Sequence, residues 1–114
     1  MTDQLSTSDF TMHNRLDSAI SAADFDLYWR EVGEAFAVHL NREEIRHGLW
    51  KEFPAADQAR QIKSKVDRVL RALELVDQLK ISQEEAQDSI LEELDDIINY
   101  AIFAKRIVKG DIGV

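Results

Sequence analysis

An all-α fold, a small antiparallel helical bundle, is what three features of this 114-residue chain predict. Helix breakers are scarce: there are four Gly and one Pro, the residues least tolerated inside helices. Apolar residues recur three and four apart through long stretches, the spacing of one helix face. Ser-x-x-Asp and Ser-x-x-Glu, the letters of a capping box, stand at the head of two of those stretches. No stretch alternates as a strand would. A chain of this length makes one domain with a modest core, which oligomerisation would complete.

Residues 1–14 are rich in Ser, Thr, Asp and Gln and read as a flexible N-terminus. Residues 15–109 read as a single helical domain and 110–114 as a tail. A short helix is expected at Arg15–Ala22. Ser21 with Asp24 then opens a long helix whose apolar face uses Phe25, Tyr28, Trp29, Val32, Phe36 and Leu40. Asn41 with Glu44 is a second cap signal, where a kink or restart would fall. The helical pattern runs on to about Glu52, and Pro54 ends it. The next helix is expected over Asp57–Leu79, with Ile62, Val66, Val69, Leu70, Leu73 and Val76 as its core stripe. Lys80–Ser82 is a turn, and Ser82 with Glu85 forms the second capping box. The last helix is expected from Gln83 to Val108, with Gly110 and Gly113 beyond its end.

Charge and composition exclude several classes. The net charge is −8, which argues against a nucleic-acid backbone as partner, so no direct DNA or RNA binding is expected. The absence of Cys removes disulfides, thiolate zinc sites and thiol nucleophiles, and it suits a reducing cytoplasm. No apolar run approaches the roughly 18 residues that span a bilayer, so no membrane partner is expected. The N-terminus lacks the regions of a signal peptide. No Gly-rich phosphate loop and no Ser/His/Asp nucleophile arrangement can be read.

The charge is concentrated in one place. Seven carboxylates, Glu84, Glu85, Asp88, Glu92, Glu93, Asp95 and Asp96, fall in one segment without a Lys or Arg. At roughly 100° per residue, Glu85, Asp88, Glu92, Asp95, Asp96 and Asn99 share an arc of about 100°. Ile90, Leu94, Ile97, Ile98, Ala101 and Val108 fall opposite. Asp88, Glu92 and Asp96 are spaced i, i+4, i+8, and oxygen ligands projecting along one line suit Mg²⁺ or Mn²⁺. The plainer reading is a solvated helix face. The stripe runs into Asn99 and Tyr100, which suggests that this end is covered.

The preceding helix is basic, with Arg60, Lys63, Lys65, Arg68 and Arg71. Packed beside the last helix, these cations would face the acids across a cleft able to take phosphate, or would simply form salt bridges. Trp50 is either a base-stacking surface or a core tryptophan. His39, Glu43 and His47 have the i, i+4, i+8 spacing of metal ligands, provided the helix is unbroken.

The segment Glu92-Glu93-Leu94-Asp95-Asp96 and the apolar run after it resemble the all-α nucleoside triphosphate pyrophosphohydrolases, the MazG and dimeric dUTPase superfamily. Their second metal-binding helix carries Glu-x-x-Asp, matched here by Glu93 to Asp96 and, in a shifted frame, by Glu92 to Asp95. Over about residues 46–104 the chain also resembles small helical nucleotide-modification-associated domains common in phage genomes. That resemblance rests on His47-Gly48-Leu49-Trp50, Lys65-Val66-Asp67-Arg68, and Asp96-Ile97-Ile98-Asn99-Tyr100. The chain departs from the pyrophosphohydrolases at their earlier Glu-Glu-x-x-Glu helix: Glu43-Glu44-Ile45-Arg46-His47 puts His47 where the third acid would fall, and Glu84-Glu85-Ala86-Gln87-Asp88, closer in letters, lies on the same helix as Glu92 and Asp96.

These features lead to three expectations. The first is a Mg²⁺-dependent enzyme acting on a nucleoside triphosphate. Asp88, Glu92 and Asp96 would hold metal, with Glu93 or Glu85 assisting or orienting water. Lys65 and Arg68 would contact phosphate, and Asn99, Tyr100 and Trp50 would contact sugar or base. The second is a non-catalytic helical module of phage type that binds a nucleotide or a protein. The third is a structural homo-oligomeric bundle whose acidic stripe is only solvated.

Overall fold

The structure, a computed structural model, describes residues 22–111. The segment 1–14, the Ser21 cap and Gly113 lie outside the described residues, as does the short helix expected at Arg15–Ala22 apart from its last residue. Among the described residues the fold is all-α, without a strand. Helix α1 is Ala22–Arg46, a 3-10 helix follows at Leu49–Glu52, α2 is Ala55–Asp77 and α3 is Gln83–Lys109.

The chain divides into two compact units, Met1–Gly33 and Glu34–Val114. The described part of the first is the opening half of α1. Phe25 meets Trp29 edge-on at 6.0 Å and Tyr28 meets the same ring at 5.9 Å. Tyr28 and Trp29 remain exposed.

In the second unit, α1 runs through Asn41 without a break, so the cap signal there is overridden by continued helical hydrogen bonding. The helix stops at Arg46, earlier than the apolar pattern predicts. His47 and Gly48 both take left-handed backbone angles, φ 49° and 74°, and such a pair ends a helix. His47 therefore leaves the line of His39 and Glu43. The chain resumes as the 3-10 turn that carries Trp50. Pro54, extended at φ −67°, precedes the first residue of α2.

Leu79, with φ 59°, occupies the left-handed position that closes α2, a place where Gly is usual. The Lys80 N–H donating to the Leu75 carbonyl completes this stop. The Ser82–Glu85 capping box forms as its letters predict: Ser82 Oγ accepts from the Glu85 N–H at 3.0 Å, and Glu85 Oε1 accepts from the Ser82 N–H at 3.3 Å. Gly110, at φ 75°, closes α3.

Helices α2 and α3 pack side by side, and the 3-10 turn packs on α3. Among the described residues, the buried apolar side chains are Ala35, Trp50, Ala86 and Phe103, and Gln58, Asp96 and Asn99 are buried with them. The lower end of the α3 stripe is covered, as its run into Asn99 and Tyr100 suggested. The stripe turns inward at Asp96 and Asn99, while Leu91, Leu94, Ile102 and Val108 on the opposite side are exposed. The α2 stripe is displaced: Val66, Leu70 and Leu73 stay exposed, because Lys65 rather than the centre of the stripe faces α3.

Candidate functional site

Asp96 is the hub of the second unit, 5% exposed. Arg42 of α1 donates to its Oδ1, and Lys65 Nζ of α2 lies 2.9 Å from its Oδ2. One turn earlier, Glu93 takes Lys65 at 3.3 Å and Arg68 at 3.5 Å. Two carboxylates thus meet three cations, leaving a local surplus of positive charge in an acidic chain. Burial alone would lower the Lys65 pKa, but the hydrogen bond and charge of Asp96, followed by those of Glu93, outweigh it. The ammonium is held above its ordinary value.

Asn99, one turn beyond Asp96, donates from Nδ2 to the Ala35 carbonyl at 2.8 Å. A side-chain amide here makes a bond that apolar packing cannot, and it fixes α1 to α3. Gln58, in the first turns of α2, donates from Nε2 to the Trp50 carbonyl at 2.9 Å and ties down the 3-10 turn. The Trp50 ring stacks on Phe103 with centroids 4.4 Å apart and planes 11° from parallel. The Arg106 guanidinium lies 5.1 Å from the Trp50 centroid, and His39 packs on Phe103 at 4.9 Å. Burial lowers the His39 pKa; Glu43 opposes this, and Arg106 and Arg42 add to it.

Beside this aromatic layer is a cavity of about 250 Å³. Helix α1 lines it with His39, Arg42, Glu43 and Arg46, which share one face at i, i+3, i+4 and i+7. The 3-10 turn and the residue after it add Leu49, Trp50 and Phe53. The start of α2 adds Asp57, Gln58 and Gln61, and α3 adds Asn99, Tyr100 and Phe103. Its volume falls just below the range of roughly 300–1,000 Å³ common for small-molecule sites. The lining sets Leu49 and the rings of Trp50, Phe53, Tyr100 and Phe103 beside charged side chains and amides, the mix of apolar wall and polar groups that small-molecule sites use.

The sequence-predicted residues separate here. Trp50, Asn99 and Tyr100 come together in the cavity wall. Trp50 is buried with Phe103 covering one face, so it presents little of its ring; Phe53, half-exposed, offers a more open aromatic surface. Lys65 and Arg68 lie outside the lining, bound to Glu93 and, for Lys65, Asp96. Arg42 joins the two regions, since it lines the cavity and also holds Asp96. Asp88 and Glu92 are exposed while Asp96 is buried, so these three do not form one continuous ligand line. Among the described residues no three His, Asp or Glu side chains converge as metal ligands, and the His39, Glu43 and His47 combination forms no such group either. Glu85 is engaged in the cap of its own helix.

Arg42, Arg46, Phe53, Gln58 and Gln61 were not among the residues expected from sequence. The one available signal was the run of polar residues His39, Arg42, Glu43 and Arg46 on a single helix face. No family model, curated protein or solved structure matches the chain. Among the described residues no helix is long and apolar enough to cross a membrane.

Proposed function

We propose that this protein binds a nucleotide in the cavity between α1, the 3-10 turn, α2 and α3. One observation supports the reading: aromatic, amide and guanidinium groups line the same cavity. Phe53 and Tyr100 offer aromatic surface, Gln61 offers an amide and Arg46 a guanidinium group; Arg42, held by Asp96, stands beside them, with the carboxylates Glu43 and Asp57 in the same lining. Arginine forks suit phosphate, and aromatic rings suit bases. The cavity size suits a base with its sugar better than a whole triphosphate. The phosphates would extend toward Arg42 and the cations beyond it. In this reading the partner is a small-molecule nucleotide, and the protein acts as a homo-oligomer in the cytoplasm.

A second reading is Mg²⁺- or Mn²⁺-dependent hydrolysis of a nucleoside triphosphate, supported by the Glu93–Asp96 pair. Those carboxylates fall in the Glu-x-x-Asp frame and share Lys65. As placed, they are neutralised by cations rather than assembled as a three-acid site, so the nucleotide-binding module is the better-supported function.

The test is calorimetric titration with ribo- and deoxyribonucleoside mono- and triphosphates, with and without Mg²⁺, alongside a pyrophosphate-release assay. Saturable binding weakened about tenfold in Arg46→Ala, a loss of about 1.4 kcal/mol, supports the pocket. Turnover lost in Glu93→Gln extends the reading to an enzyme. No binding heat at millimolar nucleotide would remove both readings.

A further inference from the structure

The polar groups that line the cavity are not equally committed. Arg42 is held by Asp96 and Asp57 by Arg60, while Asn99 and Gln58 donate to backbone carbonyls. Glu43 differs. It is half-buried in the lining, and among the described residues its carboxylate makes no hydrogen bond or ion pair. Its charge is felt by His39, one turn earlier. Its Oε2 lies 3.8 Å from where a Cβ on Gly48 would stand. The carboxylate therefore leans on the left-handed turn that leads into Leu49, Trp50 and Phe53. The Lys51 stem borders the same point, its Cε 3.6 Å away and its ammonium 6.0 Å from the Trp50 centroid. At roughly 100° per residue, Glu43 and Arg42 stand at the two edges of the lining face of α1, with His39 and Arg46 between them. The cavity thus has an acceptor end on the side of the 3-10 turn and a cationic end on the side of Asp96. Of its rings, Trp50 is covered by Phe103, and Tyr100 meets Phe103 edge-on and carries Lys65 at 5.8 Å. Phe53, half-exposed, keeps an open face.

We propose that the base taken at the acceptor end is guanine and that Glu43 selects it, an inference that rests on the nucleotide reading of the cavity. A carboxylate accepts hydrogen bonds and donates none. Among the common bases only guanine sets two neighbouring donors on its pairing edge, the ring N–H and the exocyclic amine, and these match the two oxygens of one carboxylate. Adenine and cytosine place an acceptor ring nitrogen beside their amine. Uracil flanks its N–H with two carbonyls. Against Glu43 each of these brings lone pair to lone pair and leaves polar groups unpaired, which costs affinity. The guanine ring stacks on Phe53, and the sugar and phosphates run along the lining toward Arg46 and Arg42. Glu43 repels the phosphates and so opposes the reversed orientation.

Calorimetric titration of the full chain with the mono- and triphosphates of guanosine, inosine, adenosine, cytidine and uridine holds sugar and phosphates constant and varies only the base. The guanosine nucleotides should bind about tenfold or more tightly than the rest, including inosine, which lacks only the exocyclic amine. Glu43→Gln replaces one acceptor oxygen with a donor. It should weaken guanosine about tenfold and leave adenosine within about twofold, whereas Arg46→Ala should weaken all five alike. The wild-type series decides base choice without any variant, and circular dichroism shows that the Glu43→Gln chain is folded. Equal affinity for the five bases, preference for a base other than guanine, or a folded Glu43→Gln that keeps the preference or weakens all five equally would overturn the proposal and leave the cavity as a nucleotide site. Absence of binding by every nucleotide at millimolar concentration would overturn the nucleotide reading itself, and guanine selection with it.

Discussion

Helix α3 carries one acidic stripe in two environments. Its upper half, with Asp88 and Glu92, is exposed. Its lower half, with Glu93, Asp96 and Asn99, is held by Lys65, Arg68, Arg42 and the Ala35 carbonyl. Both halves carry carboxylates on one helix; what differs is the neighbour across the gap. A carboxylate is a solvated surface group in the first case and a structural anchor in the second, and only tertiary packing decides which. The cavity lies beside the lower half, where Arg42 belongs to both the ion network and the lining.

The difference should appear first in stability. Asp96→Ala leaves Lys65 and Arg42 without their shared partner, and removing one member of a buried pair costs about 3–5 kcal/mol. Urea unfolding should show that loss, whereas Asp88→Ala should stay within about 0.5 kcal/mol of wild type. A similar loss at both positions would erase the distinction. Next in size is Asn99→Ala. It removes the bond to Ala35, whose carbonyl keeps its helical partner, and should cost about 0.5–1.5 kcal/mol in the same experiment.

Titration sharpens the contrast further. The Lys65 pKa is raised on folding, because Asp96 and Glu93 outweigh burial. Its stabilisation is therefore complete below the unfolded value of about 10.4 and is lost as pH rises through the higher folded value. Wild type should lose more stability than Lys65→Met between pH 9 and pH 11. For His39, burial lowers the folded pKa despite Glu43. Its contribution is present above the unfolded value of about 6.5 and is lost as pH falls toward the folded value. His39→Gln should flatten the decline in melting temperature between pH 7.5 and pH 5.5. The smallest effect belongs to the upper half. Asp88→Asn with Glu92→Gln relieves a like-charge i, i+4 pair and should stabilise by about 0.2–0.5 kcal/mol.

Much of the fold was legible because it is local. Ser82 and Glu85 specify the start of α3 by their letters alone, and Gly110 marks its end. Trp50, Asn99 and Tyr100 were legible as site candidates because they are polar-tipped or aromatic residues around an acidic stripe. Two things were not legible. The end of α1 depends on left-handed His47 and Gly48, which the continuing apolar pattern concealed. That the lower end of the α3 stripe is covered was suggested by its run into Asn99 and Tyr100, but the covering groups come from other elements: Arg42, Lys65 and the Ala35 carbonyl make burial of Asp96 and Asn99 favourable. On the opposite side of α3, Leu91, Leu94, Ile102 and Val108 are exposed and Ile90, Ile97 and Ile98 are half-buried.

The most direct test of this division is the melting temperature of wild type and of Asp88→Asn/Glu92→Gln, with and without millimolar Mg²⁺ and no nucleotide. With Asp96 engaged by Lys65 and Arg42, and with Asp88 and Glu92 in solvent, Mg²⁺ alone should shift neither protein. A clear Mg²⁺-dependent rise in wild type that disappears in the double variant would place a cation on the upper stripe and contradict the account.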